Sequence, residues 1–290
     1  MIYLLMSPHW KRYFSTITNK GCALKVTIFK YEMKQLKGPV LIWSISLFLV
    51  ILSILPVYIG MMSSTDTIVL EGFGSNPMLE AMGVTLDVIA TPMGTYAFLT
   101  FYVFLACAIN GMNLGLKMIT KEYLQNTADF ILTKPYSRGK VFISKILAII
   151  ISALIIGLAY FLGSWMGMLI GAGGDYNFPA MTLIAFSIVF IQLIYAALGL
   201  LVGMIFPHIR VPLLVATAVA FTSYVIGSFS NKMGYTALTY LSPYHYFTSA
   251  EIIKTGGYEP RFIVLSLVLI GFILGISYLI FRKKDIIIVS

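Results

Sequence analysis

Few residues of this chain could do chemistry, and their spacing excludes most reactions. The three histidines, His9, His208 and His245, are scattered without metal-ligand spacing. Cys22 and Cys107 are too few for a disulfide framework or a thiolate metal site, and they read as unpaired thiols. No Ser/His, paired Asp or His/Glu constellation falls inside the apolar stretches, which argues against an intramembrane enzyme. No GxxxxGK(S/T) phosphate loop occurs, so the chain is expected to bind no nucleotide cofactor and to hydrolyse no ATP by itself. The carboxamides within apolar sequence are Asn110, Asn113 and Gln192, and the one base well inside it is Lys145. The carboxamides are expected to hydrogen-bond neighbouring helices, for about 0.6 kcal/mol each; contact with a transported substrate is the alternative. Lys145 lies one turn inside its stretch and is expected to snorkel to the interface. No apolar stretch holds an acid, so the usual charge of a proton- or sodium-coupled pump is missing.

The elements that must position these residues follow from composition. Of 290 residues, 59% are hydrophobic and 11% charged, with mean hydropathy +0.91, whereas a soluble domain carries about 25% charged residues. A surface so poor in charge faces lipid. Crossing about 30 Å of hydrocarbon takes about 20 apolar residues. Six stretches qualify, at about 40–62, 92–118, 141–172, 178–206, 211–229 and 262–281. The expected fold is therefore an all-α integral membrane protein with a single six-span domain over 39–290. Ahead of it, 23–38 is expected to form an amphipathic elbow helix, with Val26, Phe29, Met33 and Leu36 on one face and Lys30, Lys34 and Lys37 beside it. A plain basic membrane-entry segment is the alternative. Residues 1–22 read as a poorly structured extension without a cleavable signal peptide. Four spans carry paired glycines one turn apart: Gly111/Gly115, Gly163/Gly167/Gly171, Gly199/Gly203 and Gly271/Gly275. They predict close helix packing and argue only weakly for a dimer seam.

Charge fixes the orientation. Lys11, Arg12, Lys20, Lys25, Lys30, Lys34 and Lys37 precede the first span. Lys117, Lys121, Lys134, Arg138, Lys140 and Lys145 cluster around the connection between spans two and three. Arg210 lies between spans four and five, and Arg282, Lys283 and Lys284 follow span six. Seventeen of the twenty bases thus share one side. The opposite connections hold Lys232, Lys254 and Arg261 against seven acids: Asp66, Glu71, Glu80, Asp87, Asp175, Glu251 and Glu259. The positive-inside rule puts the basic side and both termini in the cytoplasm of a cell membrane. The net charge of +9 is accordingly topological and no footprint of nucleic acid.

The segment 117–145 is the most informative. Met118–Thr133 is helix-compatible, Pro135 stops the helix, and Ser137 can cap the third span. A helix with exposed apolar and aromatic residues, bracketed by charge, either lies on the membrane or fills a groove on a soluble partner. The pattern Glu122, Asn126-Thr127, Phe130-Ile131-Leu132, Lys134-Pro135, Ser137-Arg138 and Lys145 resembles the signature between spans two and three of ABC transporter permeases of the type-2 exporter class. Asn126 stands where that family usually has Gly. The resemblance implies a coupling helix docked on a separate cytoplasmic ATP-binding-cassette subunit. Carried over, Glu122 and Arg138 are polar anchors of that joint and Pro135 its turn. Tyr123, Thr127, Phe130, Ile131 and Leu132 then form its contact surface. The family pattern also implies two ATPase copies, which carry the ATP and Mg, and a second permease copy or a sister permease.

On the acidic side, 63–91 reads as an outer loop. Residues 228–260 are rich in aromatics, and Pro243, Tyr244, Tyr246 and Phe247 resemble the short outer helices that precede the last span in this class. They are expected either to form an interfacial aromatic belt or to gate the exit of an amphipathic substrate. The function this supports is the permease subunit of an ATP-driven exporter, with an antimicrobial or toxic peptide as the expected cargo. Sodium, lipid and glycan remain alternative cargoes, and an ATP-independent channel or secondary carrier is the alternative class.

Overall fold

A computed structural model describes residues 8–64, 91–124, 138–233 and 240–283. In chain order its elements are α1 (Pro8–Ser64), α2 (Pro92–Leu124), α3 (Arg138–Ala172), α4 (Phe178–Ile205), α5 (Pro212–Met233), a 3-10 turn (Pro243–Phe247), α6 (Ser249–Thr255) and α7 (Pro260–Lys283). No strand occurs among the described residues. Apolar side chains run around these helices, as expected where lipid and neighbouring helices replace water.

Five of the helices are long and apolar enough to cross a membrane: Phe29–Met62, Pro92–Leu124, Arg138–Ala172, Phe178–Ile205 and Pro260–Arg282. They coincide with five of the six expected spans. The remaining one corresponds to α5, whose apolar stretch Pro212–Gly227 is shorter. Two expectations at the N-terminus need correction. The elbow over 23–38 is no separate element, because α1 runs unbroken through it, with Pro39 inside the helix. Helix also begins at Pro8, within the stretch expected to be unstructured. Phe29, Met33 and Leu36 nevertheless form the predicted face, and they pack on a core that includes Leu114, Met118 and Ile119 of α2.

Helix pairing follows the glycines. In α2, Gly111 and Gly115 lie against the backbone of Gln192 and Ala196 in α4, and Gly199 of α4 meets the Met112 carbonyl in return. Gly163, Gly167 and Gly171 of α3 receive Phe48, Ile51, Leu55 and Pro56 of α1. A side chain at these positions would meet backbone, so glycine permits the approach that packing-driven association requires. Gly271 and Gly275 of α7 have no atom within 4 Å of where a Cβ would sit. Three of the four motifs are thus filled within the chain, and α1·α3 and α2·α4 are its dominant helix pairs.

The expected cytoplasmic helix is described only as far as Leu124, as the end of α2. Thr127, Phe130, Ile131, Leu132, Pro135 and Ser137 lie outside the described residues, as do 65–90 and 234–239.

Candidate functional site

α2 ends at Leu124 and α3 begins at Arg138, so both feet of the segment 125–137 stand at one end of the bundle. Lys121 and Glu122 occupy the last turn of α2, one helical turn beyond Met118. Lys145 lies two turns into α3, and Glu32 projects from α1. These four charged side chains meet. The Lys145 ammonium donates to Glu32 Oε1 at 2.8 Å, to the Met118 carbonyl at 3.0 Å and to Glu122 Oε1. An ammonium has three donors, and all three are used. The other oxygen of Glu32 accepts from Lys121 Nζ at 2.5 Å, and Lys121 also donates to Gln35 Oε1.

Burial gives the cluster its weight. Lys145 is 0% exposed, Glu32 2% and Glu122 8%. A lone charge there would be prohibitively costly, while two acids and two bases with their donors satisfied are tolerable. Lys145 therefore does not snorkel. The physical reason is that Glu32 and Glu122 neutralise it inside the bundle.

Further contacts fix the feet. Tyr123 sets its ring edge-on to His208, in the turn between α4 and α5, at 6.1 Å between centroids. Arg138 Nη1 donates to the carbonyl of Arg282 near the end of α7 at 3.0 Å. Phe142, one turn on, packs against Tyr278 and Phe281 of α7. The two ends of the segment are thereby joined to α1, to α7 and to the α4–α5 turn.

The opposite end is aromatic. Pro243, Tyr244, Tyr246 and Phe247 are buried in the bundle. Tyr244 donates to the Ala220 carbonyl of α5 at 3.2 Å, and Tyr246 donates to the Tyr240 carbonyl. Ser242 Oγ donates to the Ser223 carbonyl at 3.0 Å, while His245 Nε2 lies 2.7 Å from the Gly227 carbonyl. Phe247 stacks on Phe190 of α4 at 5.0 Å, and Tyr246 stacks on Phe262 of α7 at 5.5 Å. Burial raises the pKa of the Tyr244 and Tyr246 hydroxyls above the ordinary tyrosine value.

Between the two ends, Asn110 and Gln192 are buried and Asn113 half-buried. They sit beside the Gly111–Gln192 approach of α2 and α4. Asn110 Nδ2, Asn113 Oδ1 and both amide atoms of Gln192 make no hydrogen bond to a neighbouring helix, contrary to the expectation for such carboxamides.

A description of ABC-2 family transporter proteins matches residues 26–286, nearly the whole chain. The chain belongs to that family. It is a multi-pass membrane permease of an ABC transporter, a membrane transport component. Membership implies a partner, the ATP-binding-cassette subunit. No curated protein matches the chain significantly. Within the permease, sequence reasoning named Glu122, Tyr123 and Arg138 but missed Glu32, Lys121 and the pairing of Lys145. One signal was available: Glu32 is the only acid among seven bases in residues 1–39.

Proposed function

We propose that this permease is the transmembrane part of an ATP-driven exporter, and that residues 117–145 form the joint through which a separate ATPase acts on the spans. The observation that carries this reading is the buried ion cluster at the feet of that segment. Glu122 and Lys145 stand on either side of its central part, 125–137, and pair with each other directly. A mere linker gains nothing from four charges placed at a membrane boundary, where unpaired ions are costly. A joint that must pass force to several helices gains a rigid base.

In this reading the basic end faces the cytoplasm, with both termini inside and α5 as the sixth span. Glu122 and Arg138 anchor the joint, Tyr123, Thr127, Phe130, Ile131 and Leu132 form its contact surface, and Pro135 is its turn. ATP and Mg stay in two copies of the partner, and a second permease copy or a sister permease completes the pathway. The cargo is amphipathic or hydrophobic, a peptide toxin or antimicrobial compound being the best fit to uncharged spans open to lipid. Asn110, Asn113 and Gln192 supply polar contacts along the pathway, and Pro243, Tyr244, Tyr246 and Phe247 close its outer mouth.

The test is co-purification with the ATPase and measurement of its turnover. Phe130→Asp with Leu132→Asp is expected to abolish the permease-dependent stimulation while membrane insertion persists. Stimulation equal to wild type in that variant overturns the reading.

A further inference from the structure

Glu32 belongs to neither the family-like pattern nor the segment 117–145, yet its two carboxylate oxygens hold one lysine from each side of that segment. Oε2 takes Lys121 of α2 and Oε1 takes Lys145 of α3. Lys145 in turn holds Glu122. Without Glu32, Lys145 still joins α2 to α3 through Glu122 and the Met118 carbonyl, and Lys121 still reaches Gln35 of α1, but Lys145 loses its tie to α1. The apolar contacts of Phe29, Met33 and Leu36 would remain. Such contacts are non-directional and permit sliding, whereas a bridging carboxylate fixes register.

We infer that Glu32 is a positioning residue that clamps the basic end of α1 to both feet of the 125–137 segment, so that α1, α2 and α3 move there as one body. This rests on the ATP-coupling reading above and extends it, because it adds α1 to the moving element. The consequence continues along the helix. α1 packs along α3 through Gly163, Gly167 and Gly171, so displacement at the clamp is carried to the far end of both helices. Coupling between distant sites runs through such rigid, packed elements.

The experiment uses the full permease in complex with its ATPase in lipid nanodiscs, with Cys22 and Cys107 replaced by alanine. Spin labels are placed at Tyr31 of α1 and Ile143 of α3, which are 54% and 56% exposed. Their separation is measured with no nucleotide and after trapping with ATP and vanadate. In the otherwise wild-type complex the separation is expected to be the same in both states. In Glu32→Gln, an isosteric change, it is expected to differ between the states by about 2 Å, the scale of helix shifts in switching proteins. Permease-dependent ATPase stimulation is expected to fall by about tenfold, the usual range of a coupling energy, and Glu32→Asp to recover part of it. A purely structural role would lower the melting temperature without making the label separation depend on nucleotide. A Glu32→Gln complex with wild-type separations in both states overturns the inference, and so does a wild-type separation that changes on trapping. Either result leaves the coupling reading standing if stimulation persists. A permease that fails to stimulate the ATPase at all overturns the coupling reading, and the inference with it.

Discussion

At the basic end of the bundle, four charged side chains from three helices share one buried site. At the aromatic end, the turn Pro243–Phe247 is seated by neutral groups, most of them hydroxyls donating to backbone carbonyls. Both arrangements tie a non-spanning segment to the spans, and they do so with different sensitivities. The ion cluster is strong only while complete, because each charge is tolerated on account of the others. The aromatic seat is a sum of independent terms: ring area removed from lipid and water, plus single hydrogen bonds of about 1 kcal/mol each. One end should therefore fail abruptly when a member is removed, and the other should weaken by degrees.

The largest effect expected from this contrast is at Lys145. Lys145→Met keeps the length of the stem but leaves the buried carboxylates of Glu32 and Glu122 facing each other without the ammonium between them. Breaking a buried pair in this way costs about 3–5 kcal/mol. Thermal denaturation in detergent should show it as a large fall in midpoint. A fall no greater than that of a surface substitution would mean that water reaches the cluster. Adding Glu32→Gln and Glu122→Gln to Lys145→Met should restore much of the loss, since the uncompensated charge is then gone.

Phe247→Ala comes next. Its ring is 1% exposed and lies between Phe190 and Tyr258. Loss of a buried ring costs about 3–5 kcal/mol in water-soluble cores, and the lower end applies where lipid can fill the gap. No second substitution at this end should rescue it, which distinguishes a cavity from a charge. Tyr244→Phe is gentler. It removes one hydroxyl bond to Ala220 while keeping the ring against Tyr195 and Tyr224. A destabilisation of about 1 kcal/mol is expected, read as a small shift of the same midpoint.

The sequence shows these two ends unequally. Five of the spans were readable because apolar length is dictated by the bilayer, and the paired glycines predicted the close helix packing that is found at α1·α3 and α2·α4. Pattern singled out Glu122, Tyr123 and Arg138, which lie at the two ends of the 125–137 segment. The cluster was not readable, because Glu32 is remote from Lys145 in sequence and no local periodicity connects them. Lys145 was misread for a related reason. Near a helix end, snorkelling is the default for a lysine with no partner in view, and its partners lie on other helices. The continuous α1 was missed because Gly38-Pro39 ordinarily ends a helix in water. Beside packed neighbours in a membrane, proline can remain inside one.

The smallest effect expected is at Arg261, and it isolates the variable that separates the ends. Arg261 pairs with Glu259 through Nε to Oε2 at 2.6 Å and Nη2 to Oε1 at 3.1 Å, a two-pronged geometry as good as any in the buried cluster. Its side chain is 63% exposed. In water the attraction is screened, and the solvent accepts either charge when the other is removed. Arg261→Ala should accordingly leave the denaturation midpoint where it was, at both low and high salt. The same pair chemistry would then be nearly inert in the open and decisive around Lys145. If Arg261→Ala instead lowered the midpoint as Lys145→Met does, ion-pair geometry rather than burial would govern this protein. The contrast between its two ends would then lose its physical basis.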